Sequence, residues 1–151
     1  MAERVWCKTL QEENFEQGSK PGDHIVLLEP VWLDDYDQPV LRKDDEPKGE
    51  PTWEIGKRVV LYVGGSIGRF AALVKIISES RRSTREDAWQ PDDWPWATDA
   101  NVLRMMVDDG PTLEQVGVPV EMVGRRIRWR LEEEQSQKIL DGFGLGSSTE
   151  N

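Results

Sequence analysis

Residues 58–63 read Arg-Val-Val-Leu-Tyr-Val, and residues 69–78 read Arg-Phe-Ala-Ala-Leu-Val-Lys-Ile-Ile-Ser. Between them stands Gly64-Gly-Ser-Ile-Gly68. Two β-branched runs on either side of a glycine-rich connection make a hairpin. Neither run alternates apolar with polar, so neither strand has a face to give to water. Strands of that kind sit at the centre of a sheet covered on both sides, as in a small closed barrel. The rest of the chain therefore has to supply both covers.

The flanking sequence offers the pieces. Residues 4–9 read as a first strand and residues 10–18 as one or two helical turns. Lys20-Pro-Gly-Asp23 is a turn, because Pro presets φ and Gly accepts a positive φ. Residues 24–28 form a strand, which residues 30–33 either continue after a kink or follow as a new one. Residues 34–51 are Asp, Glu, Lys and Pro-rich and read as an exposed, mobile acidic loop. After a polar excursion over 79–95, residues 98–107 return to strand character. Residues 111–116 are a short helix in which Thr112 and Gln115 have capping-box spacing, and residues 119–123 add another helical turn. Residues 125–131, Arg-Arg-Ile-Arg-Trp-Arg-Leu, alternate with period two and make the last strand. Residues 132–140 are the closing helix, ended by Gly142 and Gly144. The expectation is one α+β domain over residues 1–145 with a frayed tail at 146–151. Its core is a curved, barrel-like sheet of five or six strands with short helices packed at its ends.

Charge and composition bound the function. The formal net charge is −10, so a general phosphate-neutralising coat protein is excluded. Cys7 and His24 are each the only residue of their kind. A disulfide within the chain and a Cys-based zinc site are ruled out, and a reducing, cytoplasmic setting is expected. Residues 1–8 hold no apolar run of a secretory signal. No segment approaches the roughly 20 apolar residues of a membrane span. Neither a metal nor a cofactor is called for.

Several segments fall in a familiar order: Trp53-Glu-Ile-Gly-Lys-Arg-Val-Val-Leu-Tyr62, Gly68-Arg-Phe-Ala-Ala-Leu-Val-Lys75, Trp94-Pro-Trp96, Asp109-Gly-Pro-Thr-Leu-Glu-Gln-Val116, and the strand and helix over 125–140. Together they resemble the EVE domain family, which shares the PUA-like fold with YTH and ASCH domains. The resemblance implies a PUA-like barrel whose side pocket binds nucleic acid or a modified base. It departs at Tyr62-Val-Gly-Gly65, where many members carry Tyr-His-Ser, and in the acidic segment that replaces the family's usual run before the second strand.

The candidate residues follow from both readings. The chain has seven Trp, and stacking on an aromatic face suits any base. Trp6, Trp32 and Trp53 lie near strand ends that would surround the pocket, while Trp94 and Trp96 read as packing of a loop onto the barrel. Gly64 and Gly65 offer backbone N–H groups, though a plain hairpin turn explains them as well. Arg125 corresponds to a strand Arg that lines the pocket in EVE relatives. The hairpin and the last strand are locally basic in an acidic chain. Arg58, Arg69, Arg81, Arg82, Arg126 and Arg128 therefore form a candidate nucleic-acid backbone face, or simply a solvated strand face.

The function expected is a binding module rather than an enzyme. It would recognise a modified base or nucleotide in single-stranded or flipped-out nucleic acid. Two alternatives stay open. One is an interaction or regulatory domain without a ligand. The other is a small ASCH-type amidohydrolase using Lys8 and Thr9 with Glu29 or Glu79 as base. The acids at Asp34, Asp35, Asp37, Asp44, Asp45 and Glu46 lack a calcium-loop pattern and read as a solvated loop.

Overall fold

The computed structural model describes residues 4–15, 18–29, 53–87, 94, 96–125 and 128–145. Trp32, Arg126, the acidic segment at 34–51 and the tail at 146–151 lie outside the described residues.

The chain runs β1 (Trp6–Leu10), a single 3₁₀ turn (Glu12–Asn14), β2 (His24–Glu29), β3 (Arg58–Val63), β4 (Arg69–Ile76) and β5 (Arg81–Arg82). Then follow β6 (Trp96–Met105), α1 (Leu113–Val116), α2 (Val120–Arg125), β7 (Arg128–Arg130) and α3 (Glu133–Gly142). All strands belong to one sheet, ordered β2-β6-β4-β3-β1-β7, with β5 paired to β6. The fold is α+β.

The central hairpin behaves as its sequence demands. All six residues of β3 are buried, and the strand pairs antiparallel with β4 and parallel with β1. One face of the sheet carries Cys7, Val60, Tyr62, Phe70 and Leu73 against Val116, Ile139, Leu140 and Phe143 from the helices. The other carries Leu27, Val59, Leu61, Val63, Ala72, Val74, Ile76, Ala100 and Val102. That second set lines a concavity, because the sheet curls strongly. Two register breaks drive the curl, one between Leu61 and Tyr62 in the β3–β4 ladder and one between Leu73 and Val74 in the β4–β6 ladder. A bulge bends its strand and increases the local twist.

The helices are set by local chemistry. Thr112 Oγ1 accepts from Gln115 N at 3.2 Å and Thr112 N donates to Gln115 Oε1 at 2.9 Å, which is the capping box expected from the spacing. Glu132 N likewise donates to Gln135 Oε1 at 3.0 Å at the start of α3. No helix among the described residues is long and apolar enough to cross a membrane.

Two expectations need correction. The barrel is not closed: β2 and β7 end the sheet, and among the described residues no ladder joins them. The last strand does not begin at Arg125. That residue ends α2, which follows Pro119 and continues through Gly124, and β7 starts only at Arg128. Pro favours a helix start, and the helix it opens outruns the alternating pattern of the arginines behind it.

Gly110 holds the junction between the sheet and α1. A Cβ there would lie 1.9 Å from Phe70 O and 2.8 Å from Met106 O, both backbone atoms that cannot swing aside. Gly64 has nothing within 4 Å of the same construction. Gly110→Ala is therefore expected to destabilise the protein by about 3 kcal/mol or more, while Gly64→Ala stays within about 0.5 kcal/mol of the parent. Urea unfolding of the two variants against the parent measures both.

Candidate ligand cavity

The sheet does not close, and the seam left between β2 and β1, the strand next to the edge strand β7, is the site. The strand order makes β2 antiparallel to β1, the relation two neighbours would have in a closed barrel. Instead of a ladder, one side chain spans the gap. Lys8 on β1, only 2 % exposed, donates from Nζ to Leu28 O on β2 at 2.7 Å. Behind this strap the concavity opens into a cavity of about 1020 Å³.

Its inner wall is apolar, with Ile25, Leu27, Leu61, Ala72, Val74 and Val102. Polar groups ring it: Thr9, Gln11 and Asn14 from β1 and the turn after it, Ser19 and His24 before and on β2, and Asp87 from the β5–β6 connection. Trp94, Val120 and Val123 complete the outer wall. Trp94 and Val120 are also exposed to solvent. Large apolar groups on the rim of a cavity are what a ligand would cover.

The residues singled out by sequence divide between this cavity and other tasks. Gly64 lines the cavity. Gly65 does not: it sits in the turn pinned by Glu12, which accepts from Ser66 N at 2.9 Å and Ser66 Oγ at 2.7 Å. The bond from the Ser66 hydroxyl, then that from its amide, holds the Glu12 carboxyl below its ordinary value. Trp6 and Trp53 meet each other, with ring centroids 5.5 Å apart at 75°, and Arg130 lies 5.4 Å over Trp6. The edge of one ring meets the face of the other, and the pair packs onto the concave core, Trp53 buried in it and Trp6 against it. Arg125 ends α2, away from the strand position that made it a pocket residue.

The candidate backbone face is mostly spoken for. Arg58 is 7 % exposed. Arg69 donates to Gly110 O at 2.8 Å. Arg81 forks onto Asp87 at 2.7 and 3.0 Å and reaches Asp99 at 3.2 Å. Arg82 is exposed and lies 5.3 Å over the Trp96 ring. Arg128 is the first residue of β7, with its backbone opposite Lys8, which leaves its part in such a face untouched. Of the Lys–Thr–Glu set, Lys8 and Thr9 both line the cavity, Glu29 ends β2, and Glu79 is exposed beyond β4. Burial pushes the Cys7 thiol well above its ordinary value, so it is no nucleophile.

Sequence reasoning missed Trp94 and His24. Trp94 reads in the sequence as loop packing, and nothing local shows that it lines the cavity. His24 follows a turn and starts a strand, which is a visible signal of exposure. Its partner, Asp99, is 75 residues away and is brought alongside by the β2–β6 ladder.

The chain as a whole matches no family model and no curated protein. Its fold is similar to that in the crystal structure of protein Atu2648 from Agrobacterium tumefaciens, at 12 % identity and a TM-score of 0.53. The match covers 95 % of this chain and 94 % of that one. At such identity the likeness is one of fold.

The Arg81 clamp makes an acid-side prediction. The hydrogen bonds from Arg81 hold the Asp87 carboxyl at about 2, against an ordinary 3.8. A carboxyl lowered by folding contributes stability that is fully present above about pH 4 and lost as pH falls through 2. Arg81 is 40 % exposed, so screening reduces the full value to about 1 kcal/mol. Asp87→Asn should cost that much at pH 7, and parent and variant should converge near pH 2. Urea unfolding curves taken across that range check both ends.

Proposed function

We propose that the chain is a binding module of PUA-like, EVE-related type that takes a modified base or nucleoside into the seam cavity. The observation that carries this reading is the cavity itself: an apolar wall, a small ring of polar groups and an exposed tryptophan. Ligand sites usually have this composition, and their volumes run to about 1000 Å³. Trp94 supplies the stacking surface that the sequence had placed at Trp6 and Trp53. With Arg58, Arg69 and Arg81 engaged inside the fold, phosphate contacts contribute little, so the base does most of the binding. A base from nucleic acid would have to be single-stranded or flipped out to enter.

Binding is favoured over hydrolysis by the use made of Lys8, whose Nζ is bonded to Leu28 O as the strap across the gap. The ligand-free interaction domain is the reading left if the cavity takes nothing.

Calorimetric titration tests this. The panel is uridine, cytidine, their forms methylated or hydroxymethylated at C5, where the N–H donors are kept, and short oligonucleotides carrying the same bases beside unmodified controls. Modified members are expected to bind more tightly, with a shallow dependence on salt that reflects few phosphate contacts. Trp94→Ala should weaken binding by about 1–3 kcal/mol. Ala72→Phe fills the cavity from its floor and Val123→Trp from its outer wall. Each should cost at least about tenfold in affinity while the far-ultraviolet dichroism stays that of the parent. Absence of binding across the panel at high micromolar protein, or binding indifferent to both filling variants, overturns the reading.

A further inference from the structure

His24 has more structure around it than an exposed histidine needs. Its ring lines the cavity, and its Nε2 lies 2.8 Å from Asp99 Oδ1. An ionised carboxylate only accepts, so Nε2 must carry the proton and, in the neutral ring, Nδ1 is left with a lone pair. The carboxylate is itself fixed. Arg81 donates to its two oxygens at 3.2 and 3.5 Å, and the Asp99 amide donates to Ser78 Oγ at 3.0 Å. Burial alone would raise the Asp99 carboxyl, but the bonds from Arg81 and His24 together hold it below its ordinary value. Arg81 in turn is forked onto Asp87, which accepts from Thr84 N at 2.9 Å. Three separate elements, β2, β6 and β5 with its following turn, thus converge to orient one imidazole.

We propose that His24 is the hydrogen-bonding selector of the cavity: Asp99 fixes its tautomer so that Nδ1 accepts from an in-plane N–H or O–H of a heteroaromatic ligand. This rests on the reading of the cavity as a base site. Asp87 lines the same cavity and is also an acceptor, so this side of the rim adds a second acceptor beside Nδ1. It favours ligands that present donors, such as an imino or amino N–H, over ligands in which that hydrogen is replaced by methyl. Asp99 and Arg81 act through His24 as positioning residues.

The chain has a single histidine, so ¹⁵N-histidine labelling reports one ring. Spectra at pH 8 should show Nε2 protonated and Nδ1 bare. The groups bearing on that ring are Asp99 from β6, with Arg81 from β5 and Asp87 behind it. Uridine is then titrated beside 3-methyluridine, and cytidine beside N4,N4-dimethylcytidine. The donor-bearing member of each pair should bind about tenfold more tightly and shift the Nδ1 resonance. His24→Phe should erase the difference within each pair. In Asp99→Asn, Arg81 holds the amide oxygen and the amide NH₂ faces Nε2, so the proton moves to Nδ1 and the preference should reverse. A role for Asp99 in stability alone would not reverse it. A free protein protonated at Nδ1 overturns the assignment and leaves the cavity reading standing. So does a bound nucleoside that leaves Nδ1 unmoved and binds His24→Phe equally well. No binding of any of the four nucleosides or of the C5-modified panel, with Nε2 protonated as expected, removes the base-site reading and this assignment together.

Discussion

The burial of β3 on both faces governs the rest of the molecule. A strand with no polar face must have two covers, and this chain provides them by different means. Helices α1 and α3 pack on one side of the sheet. On the other side the sheet covers itself, by curling until β2 and β1 face each other across the concavity. The bulges at Leu61/Tyr62 and Leu73/Val74 make that curl possible. Ala71, Ala72 and Ala100 are buried on that face, and the small side chain of Ala72 leaves it on the wall of the cavity.

Self-covering leaves a remainder. Curling brings β2 near β1, with no ladder between them among the described residues, and the space they leave is the cavity. Lys8 fills the role a ladder would have had, reaching Leu28 O with its ammonium group. The stem of a lysine can lie along apolar surface while its end makes a polar bond, which is why one residue can serve as both wall and strap. The cavity is thus a consequence of how the hydrophobic problem was solved, and its polar rim is where chemistry enters.

The arginines show how tertiary structure changes the meaning of a charge. In the sequence they form a basic region within a chain of net charge −10. In the fold Arg81 is the hub that ties Asp87 and Asp99 to β5, and Arg69 satisfies the carbonyl of Gly110. Charges recruited in this way organise the rim of the cavity without presenting a phosphate-binding surface. Their effect on a ligand is indirect, through the groups they hold still.

The elements that rest on local physics were legible in the sequence. The bounds of β3 and the start of β4 follow from β-branched runs and the glycines between them, and α1 from the spacing of Thr112 and Gln115. The α+β class follows from their order. Where two local signals competed, as at Arg125, the helix begun at Pro119 overrode the alternation that suggested a strand. The site was much less legible. Trp6 and Trp53 were the right residue type, yet their edge-to-face contact spends both rings on the core. His24 and Asp99 became a pair only when β2 and β6 aligned, and Trp94 became part of the cavity wall only in the folded chain. The sequence by itself determined the central hairpin, because burying its apolar strands is a demand that no partner can cancel. Whether the sheet closes or stays open, and which side chains then face the gap, was decided by the tertiary structure. Curl and register depend on bulges and long-range pairings that no single segment encodes.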